Sequence, residues 1–254
     1  MRPDRYETIR FDTDGRIAAL AFNRPEKLNA ISHRMASEIA EAVSQLDPAR
    51  VLIVTGNERA FSAGADLSER AEPGRTTTTI VAYDALASVP IPVIAAIEGY
   101  ALGGGLELAM CCDLRVASET ARLGQPEVLR GILPGGGGTQ RLPRLIGPSR
   151  AKDLMFTGRH ISGATAEQWG LVNLLTPPGE ALARAREIAE DLATRSGPLA
   201  LKEIKMLVDR CLDLPLGEGL AIERQRAAFL YTTEDSSEGI QAFLDRREPD
   251  FRGR

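Results

Sequence analysis

Short apolar runs alternate with segments in which apolar residues recur every three or four positions. The runs at residues 16–22 (RIAALAF) and 51–55 (VLIVT) are bounded by turn residues and predict strands. Between them, residues 32–46 carry apolar side chains at helical spacing, and Ser32 is suited to be the N-cap of that helix. A strand, a helix and a second strand therefore make up the first predicted unit.

The same alternation continues to about residue 175. A buried strand is predicted at residues 93–97 (VIAAI), followed by a glycine turn and an apolar helix over residues 104–112. Two further strands are predicted at residues 114–117 and 171–175. This alternation favours an α/β fold with covered sheet faces.

The pattern after Pro178 is helical only. Apolar residues recur at helical spacing in three segments separated by glycine or proline, namely residues 180–194, 199–212 and 216–231. We therefore predict a core over residues 1–195 and a helical C-terminal region over residues 196–254.

Composition narrows the class of protein. A chain of 254 residues with 43% hydrophobic and 26% charged residues is typical of a soluble globular domain. The net charge of −4 argues against nucleic acid as the main partner. The first residues contain no apolar segment, so we expect no signal peptide, and the longest apolar stretch is far too short to span a membrane. Three cysteines, two of them adjacent, indicate no disulfide framework and a cytoplasmic location.

Scarcity of histidine limits the chemistry. Only His33 and His160 occur, and there is no Cys-x-x-Cys pair, so we expect no metal site. Neither histidine lies near a nucleophile-elbow pattern, which argues against a Ser-His-Asp triad.

A glycine run at residues 103–105 joins a predicted strand to the apolar helix that contains Glu107. Glycines let the backbone approach a ligand closely, and the first turn of a helix presents N–H groups without intrahelical partners. Such a turn suits an oxyanion, although a tight turn with nothing bound is equally compatible with the pattern. The G-x-G-x-x-G spacing of dinucleotide-binding folds is absent.

A second loop of small residues, 61–67 (FSAGADL), follows the strand at residues 51–55. It could bring another backbone N–H to the same ligand atom, and two donors aimed at one developing negative charge stabilise an enolate. Asp66 has the alternative interpretation of an N-cap for a short helix through Ser68 and Arg70.

Two glutamates are candidates for proton transfer. Glu107 lies in an apolar helix, where a lone carboxylate is costly unless it is paired or used, and a buried structural glutamate is the alternative. Glu127 follows Pro126 and has the alternative role of an acidic residue at a helix N-terminus. As a pair, one protonated and one ionised, they could supply an acid and a base to one water molecule.

Together these segments resemble the crotonase superfamily, most closely the enoyl-CoA hydratases, over nearly the whole chain. The matching stretches are RPEKLNA at 24–30, AFSAGADL at 60–67, PVIAAIEGYALGGGLELAMCCD at 92–113, GQPEVLRGILPGGGGTQRL at 124–142, TGRHISGATAEQWGLVN at 157–173 and EDSSEGIQAFLDRREPDF at 234–251.

The resemblance implies roles for individual residues. The backbone N–H groups of Ala65 and Gly104 are expected to hold the thioester carbonyl, with Glu107 as the base that activates water and Glu127 as the acid. The residues expected to contact coenzyme A, which is part of the substrate and not a separate cofactor, are Lys27, Leu28, Asn29, Ala30, Ala63, Ala65, Asp66 and Leu67. Arg246 or Arg247 is expected either to reach a phosphate or to be solvated surface charge.

The resemblance further implies a spiral of strand-strand-helix units with a C-terminal helical region that completes the coenzyme A site and forms a trimer or a dimer of trimers. The expected activity is that of a hydro-lyase in the β-oxidation of fatty acids. Residues 72–89 are expected to form the wall of the acyl pocket, and the polar segment at residues 72–79 is the predicted mobile loop.

Three alternatives stay open. An enoyl-CoA isomerase generally needs only the equivalent of Glu127, whereas hydration needs both glutamates, so the pair favours a hydratase. A relative that acts on cyclic or branched enoyl-CoA esters shares every residue named above. A non-catalytic CoA- or RNA-binding scaffold is disfavoured by the two glutamates and the acidic charge.

Overall fold

The computed structural model describes residues 5–70 and 79–254. Its strands are β1 (Ile9–Asp14), β2 (Ile17–Phe22), β3 (Val51–Thr55), β4 (Ala60–Ser62), β5 (Val93–Ile97), β6 (Tyr100–Leu102), β7 (Leu114–Ser118), β8 (Arg122–Gly124), β9 (His160–Ser162) and β10 (Leu174–Thr176). Its helices are α1 (His33–Val43), α2 (Leu67–Arg70), α3 (Ile80–Ala87), α4 (Gly104–Cys111), α5 (Gly138–Ile146), α6 (Pro148–Thr157), α7 (Gly163–Gln168), α8 (Ala181–Arg195), α9 (Pro198–Cys211), α10 (Leu216–Leu230) and α11 (Glu234–Asp245). Two 3-10 turns cover Pro25–Lys27 and Pro126–Arg130.

The larger sheet has the strand order β1-β2-β3-β5-β7-β10, with β1 antiparallel to β2 and the other pairs parallel. Every residue of β3 and β5 is buried, which explains why these strands are unbroken apolar runs and not alternating ones. Helix α8 covers one face with alanines spaced four residues apart, at positions 181, 185, 189 and 193. The main core, which includes α1 and α4, covers the other face.

A smaller sheet of short strands has the order β4-β6-β8-β9. Strands β3, β5 and β7 belong to the larger sheet, and each is followed within a few residues by a strand of the smaller sheet, β4, β6 or β8. A helix or helical turn comes next each time, so the chain repeats a strand-strand-helix unit. The predicted α/β spiral is confirmed by this topology.

Most predicted elements are confirmed, but one strand prediction is wrong. Ser32 caps α1 by accepting a hydrogen bond from the backbone N–H of Met35 at 3.1 Å. Residues 171–175 do not all form a strand, because β10 begins only at Leu174. The N–H groups of Leu171 and Val172 donate instead to the Ala166 carbonyl at the end of α7. The side chains of Leu171 and Val172 are apolar because they are buried beside that helix end, and not because they belong to a strand.

The C-terminal helices are joined to the core by polar contacts. Lys205 of α9 donates to the Asp113 carboxylate at 2.8 Å and to the Ile91 carbonyl at 3.2 Å. Within the C-terminal region itself, the buried Asp235 carboxylate accepts hydrogen bonds from the backbone N–H groups of Arg252 and Gly253. The division of the chain at residue 196 stays a prediction.

Across residues 5–70 and 79–254, no helix combines the length and the apolar character needed to cross a membrane. Residues 72–78 of the predicted mobile loop and pocket wall lie outside the described residues.

Candidate active site

Two loops are joined side by side at the edge of the fold. The N–H of Ile31 donates to the Gly64 carbonyl at 2.8 Å, and the N–H of Asp66 donates to the Ile31 carbonyl at 2.9 Å. Because neighbouring N–H groups in an extended segment point in opposite directions, the N–H of Ala65 points away from Ile31. Within residues 5–70 and 79–254, it donates to no backbone carbonyl.

The Ala65 N–H lies beside the start of helix α4. Gly104 is the first residue of that helix, so its N–H has no intrahelical acceptor. A Cβ placed on Gly104 would stand 3.4 Å from the Ala65 nitrogen, and one placed on Gly64 would stand 3.3 Å from the Gly104 nitrogen. Gly64 and Gly103 have φ of +102° and +52°, which other residues adopt only with strain. The fold thus brings together the two N–H groups that the sequence selected.

Glu107 lies one turn further along α4 and is buried. One of its carboxylate oxygens, Oε1, accepts hydrogen bonds of 2.7 Å from the backbone N–H groups of Gly136 and Gly138. Gly138 begins helix α5, so the carboxylate lies at a helix N-terminus, where negative charge is favoured. These two hydrogen bonds stabilise a carboxylate that the apolar helix would otherwise bury at a cost.

Glu127 belongs to the 3-10 turn that follows β8, and its carboxylate lies beside Gly103, the residue before the start of α4. A Cβ placed on Gly103 would stand 3.0 Å from Glu127 Oε1. The amide of the buried Gln125, with its nitrogen oriented toward Glu127, donates to both carboxylate oxygens at 3.0 and 3.1 Å. The same amide is 3.2 Å from the point where a Cβ on Gly138 would stand. Gln125 therefore lies between the carboxylate of Glu127 and the turn that binds Glu107.

The segment expected to contact coenzyme A has an unusual backbone. Leu28 and Asn29 are consecutive residues with positive φ, 49° and 55°. The buried Asn29 side chain accepts from the Arg24 N–H and donates to the Ala60 carbonyl, so it shapes the loop. Lys27 and Leu67, by contrast, are exposed and accessible to a ligand.

Asp66 stabilises the same pair of loops. Its carboxylate accepts a hydrogen bond of 2.9 Å from Arg24 and bonds of 2.6 and 3.2 Å from the hydroxyl and N–H of Ser68. Burial raises the pKa of Asp66, but the hydrogen bonds from Ser68 and Arg24 outweigh it and leave the pKa below its ordinary value. The N-cap interpretation is confirmed by the bonds to Ser68. Contact of Asp66, or of Ala30 and Ala63, with coenzyme A stays a prediction.

Arg247 at the end of α11 forms an ion pair with Glu238 at 2.6 Å. Arg247 therefore has acidic partners within its own chain, as expected of surface charge. A contact of Arg246 or Arg247 with a phosphate stays a prediction.

Sequence reasoning missed several residues of this site. The side chain of Tyr83 in α3 contacts both Gly104 and Gly136. Gln125, Gly136 and Gly138 were not selected either, although the run of four glycines at residues 135–138 was a visible signal of close backbone approach. Nothing in the periodicity of α3 distinguishes Tyr83 from an ordinary core residue.

Comparison with known proteins identifies related chains. A family model described as enoyl-CoA hydratase/isomerase matches residues 12–254. A probable enoyl-CoA hydratase of Mycobacterium bovis is 42% identical over 253 residues, which cover 97% of this chain and 98% of that protein. The 2,3-dehydroadipyl-CoA hydratase of Escherichia coli is 42% identical over 246 residues, which cover 94% of this chain and 96% of that protein.

Solved structures are similar over the same length. An enoyl-CoA hydratase subunit I from Geobacillus kaustophilus superposes with a TM-score of 0.93 at 42% identity, covering 99% of this chain and 100% of that chain. An enoyl-CoA hydratase from Bacillus anthracis superposes with a TM-score of 0.92 at 39% identity, covering 98% of this chain and 100% of that chain.

Proposed function

The chain belongs to the enoyl-CoA hydratase/isomerase family, and on that premise we propose that this enzyme adds water reversibly to a trans-2-enoyl-CoA thioester. The product is a 3-hydroxyacyl-CoA. The assignment of this protein as an enoyl-CoA hydratase, which is a hydro-lyase, is supported by relatives of that name that match almost the whole chain. The roles of individual residues are our proposal.

One observation carries the mechanism: two N–H groups and two carboxylates converge on the first turn of α4. The N–H groups of Ala65 and Gly104 lie beside each other, Glu127 lies against Gly103, and Glu107 is one turn away. A thioester carbonyl bound by the two donors places its α- and β-carbons next to the acids. Each such donor typically lowers the barrier by about 3 kcal/mol.

The reaction balances with the groups present. Glu107 accepts a proton from water while the water oxygen forms a bond to the β-carbon. The electron pair of the double bond moves toward the carbonyl oxygen, where the two N–H groups stabilise the enolate. Glu127 then donates a proton to the α-carbon. Proton exchange with solvent returns Glu107 to its ionised form and Glu127 to its protonated form.

Hydrogen bonding supports Glu107 as the base. Two backbone donors at 2.7 Å stabilise negative charge on its Oε1, as a base requires before the reaction. Glu127 is the acid because its carboxylate lies beside the N-cap of the helix whose N–H holds the carbonyl, close to the α-carbon. We propose no cofactor, because acid–base groups and oxyanion donors suffice for this addition.

Binding of coenzyme A is proposed for the two joined loops. Lys27 and Leu67 are exposed on these loops, and we propose that they contact coenzyme A together with the backbone around Leu28 and Ala30. Arg24 stabilises the two loops by donating hydrogen bonds to the Ala30 carbonyl and the Asp66 carboxylate.

Self-association is proposed from the highly exposed apolar side chains in the second half of the chain, which an interface between copies would cover. We propose a trimer or a dimer of trimers. Size-exclusion chromatography with light scattering measures the molar mass that distinguishes the two. The most exposed large apolar residues in the described part of the chain are Leu129, Leu133, Phe156, Leu212, Leu216, Tyr231 and Phe243.

A role in fatty-acid β-oxidation is proposed because that sequence of reactions contains a hydration of this kind. We also propose a cytoplasmic location, which is supported by the free thiols of Cys111, Cys112 and Cys211.

The experiment that tests this function follows the loss of conjugated-thioester absorbance when purified protein is mixed with crotonyl-CoA. We expect turnover, and we expect Glu107→Gln and Glu127→Gln each to lower kcat by at least about a hundredfold while binding of a CoA ester persists. Glu167→Gln, which alters an exposed acid on α7, is the matched control. Unchanged turnover in either active-site variant contradicts the two-carboxylate mechanism.

A 3-enoyl-CoA substrate distinguishes hydration from isomerisation. If Glu107→Gln retained full activity in shifting that double bond and the parent enzyme failed to hydrate crotonyl-CoA, the isomerase alternative would replace the hydratase.

A further inference from the structure

Tyr83 lies on α3, a helix that packs against α1 and α4. Its side chain is 4% exposed, so the phenol is buried in the protein and does not extend into solvent. The mechanism proposed above assigns it no role. Its contacts, however, are with the residues that form the reaction site.

The Tyr83 ring contacts the turn that binds Glu107. A Cβ placed on Gly136 would stand 2.7 Å from Tyr83 Cζ and 2.8 Å from Glu107 Oε2. The ring and the carboxylate therefore approach the same point from two directions, with only a glycine between them. No larger residue fits at Gly136 while both groups keep their positions.

The hydroxyl end of Tyr83 contacts the oxyanion donors. Tyr83 Oη is the nearest atom to a Cβ placed on Gly104, and the Ala65 nitrogen is 3.4 Å from the same point. The hydroxyl end of the phenol therefore lies between the two N–H groups, which its Oη approaches, and the Glu107 side of the site, which its Cζ and Cε1 approach.

The proposed function places the carbonyl oxygen of the thioester at the two N–H groups and its β-carbon at Glu107. An α-carbon between those two points passes beside the hydroxyl end of Tyr83. A substituent on the α-carbon that points toward α3 meets the ring. The ring cannot retreat freely, because Ala82 and Leu86 of the same helix are buried in the core.

We propose that Tyr83 is a specificity-determining residue, whose ring forms the wall between the oxyanion donors and Glu107 and selects acyl groups without a branch at the α-carbon. This inference rests on the proposed function for the placement of the substrate. It concerns the shape of the acyl group and not the transfer of a proton.

The test compares crotonyl-CoA with 2-methylcrotonyl-CoA for the parent enzyme, Tyr83→Phe, Tyr83→Leu and Tyr83→Ala. We expect Tyr83→Ala to raise the kcat/KM ratio of the branched to the straight substrate by about tenfold or more, since one carbon in an apolar pocket has an effect of that size. Tyr83→Leu shifts the ratio in the same direction, and Tyr83→Phe leaves it unchanged because the ring remains. Leu86→Ala, a truncation at a buried position of the same helix, is the control for a loosened core.

Calorimetric titration with butyryl-CoA and its α-branched isomer isobutyryl-CoA gives a readout that needs no turnover. We expect Tyr83→Ala to favour isobutyryl-CoA relative to the parent. An unchanged binding ratio in both Tyr83→Ala and Tyr83→Leu overturns the proposal, as does an equal change in Leu86→Ala. If the parent hydrates neither enoyl ester but Tyr83→Ala still shifts the binding ratio of isobutyryl-CoA to butyryl-CoA, the proposed function is refuted. The role of Tyr83 in selecting the acyl group is then retained.

Discussion

The Oε1 atom of Glu107 accepts a 2.7 Å hydrogen bond from the backbone N–H of Gly138, the first residue of α5. A side chain of one helix therefore occupies the N-terminus of the next. The partial positive charge there, together with the second donor at Gly136, stabilises the negative charge of this carboxylate. The position of the proposed base is thus set by the packing of α4 against α5.

Gly138→Ala should displace Glu107. The new Cβ would stand 2.7 Å from the Pro134 side chain, which has to shift, and 3.0 Å from Glu107 Oε1, so the turn that binds the carboxylate is pushed out of place. We expect kcat with crotonyl-CoA to fall by about tenfold or more, because small misplacements of catalytic groups are costly. Gly135→Ala is the matched control, since no atom lies within 4 Å of its Cβ position. Equal activity of the two variants would contradict this account.

Gly104→Ala should obstruct the oxyanion donors. A methyl group there would collide with Tyr83 Oη and stand 3.4 Å from the Ala65 nitrogen. We expect kcat to fall by about 10²–10³, the loss typical of one oxyanion donor. Gly217→Ala, near the start of α10 with open space around it, should keep full activity. Retention of parental kcat in Gly104→Ala would argue against a carbonyl site at this turn.

Asp66→Asn should lower the free energy of unfolding more at pH 7 than in acid. Because the pKa of Asp66 is below its ordinary value of about 3.9, the stabilisation it contributes is complete above about pH 5 and is lost as the pH falls through the lowered pKa. We expect the free energy of unfolding of the parent to exceed that of the variant by about 1–3 kcal/mol at pH 7 and by less at about pH 3, below the ordinary pKa. Urea unfolding measures both, with the exposed Asp12→Asn as control. A difference that grows in acid would refute this sign.

Arg115→Met should be strongly destabilising. The buried guanidinium donates to the carbonyls of Leu171 at 2.7 Å and Cys112 at 2.8 Å, and burial lowers the pKa of Arg115. Its removal leaves buried acceptors without donors, so we expect a loss of about 3–5 kcal/mol. Arg10→Met on the exposed side of β1 should change the unfolding free energy by less than about 0.5 kcal/mol. Comparable losses in the two variants would show that burial at Arg115 is not the cause.

The sequence predicted best those elements whose burial is uniform. Residues 51–55 and 93–97 form strands at the predicted bounds, because fully buried strands are continuous apolar runs between turns. The three-residue strands of the smaller sheet are too short to show any period. At residues 171–172 apolar character reflected burial beside a helix end, which periodicity cannot separate from a strand.

The sequence likewise predicted only those site residues that have a local signal. Glu107 was selected because a carboxylate in an apolar helix needs a reason, and glycine runs marked close approach of the backbone. The position of Tyr83 over Gly104 depends on how α3 is rotated against α4, which is a property of packing. Gln125 likewise acquires a partner only when β8 places it beside Glu127.

The amides that surround the proposed reaction centre belong to the main chain. A substitution changes the side chain and leaves the backbone N–H in place, so the positions that supply only an N–H should tolerate many residue types where space allows. Tolerance should collapse at positions whose only requirement is to carry no side chain, such as Gly103 and Gly136. A saturation library scored for hydration of crotonyl-CoA would then show intolerance at these two glycines, which touch no reacting atom, as well as at Glu107 and Glu127.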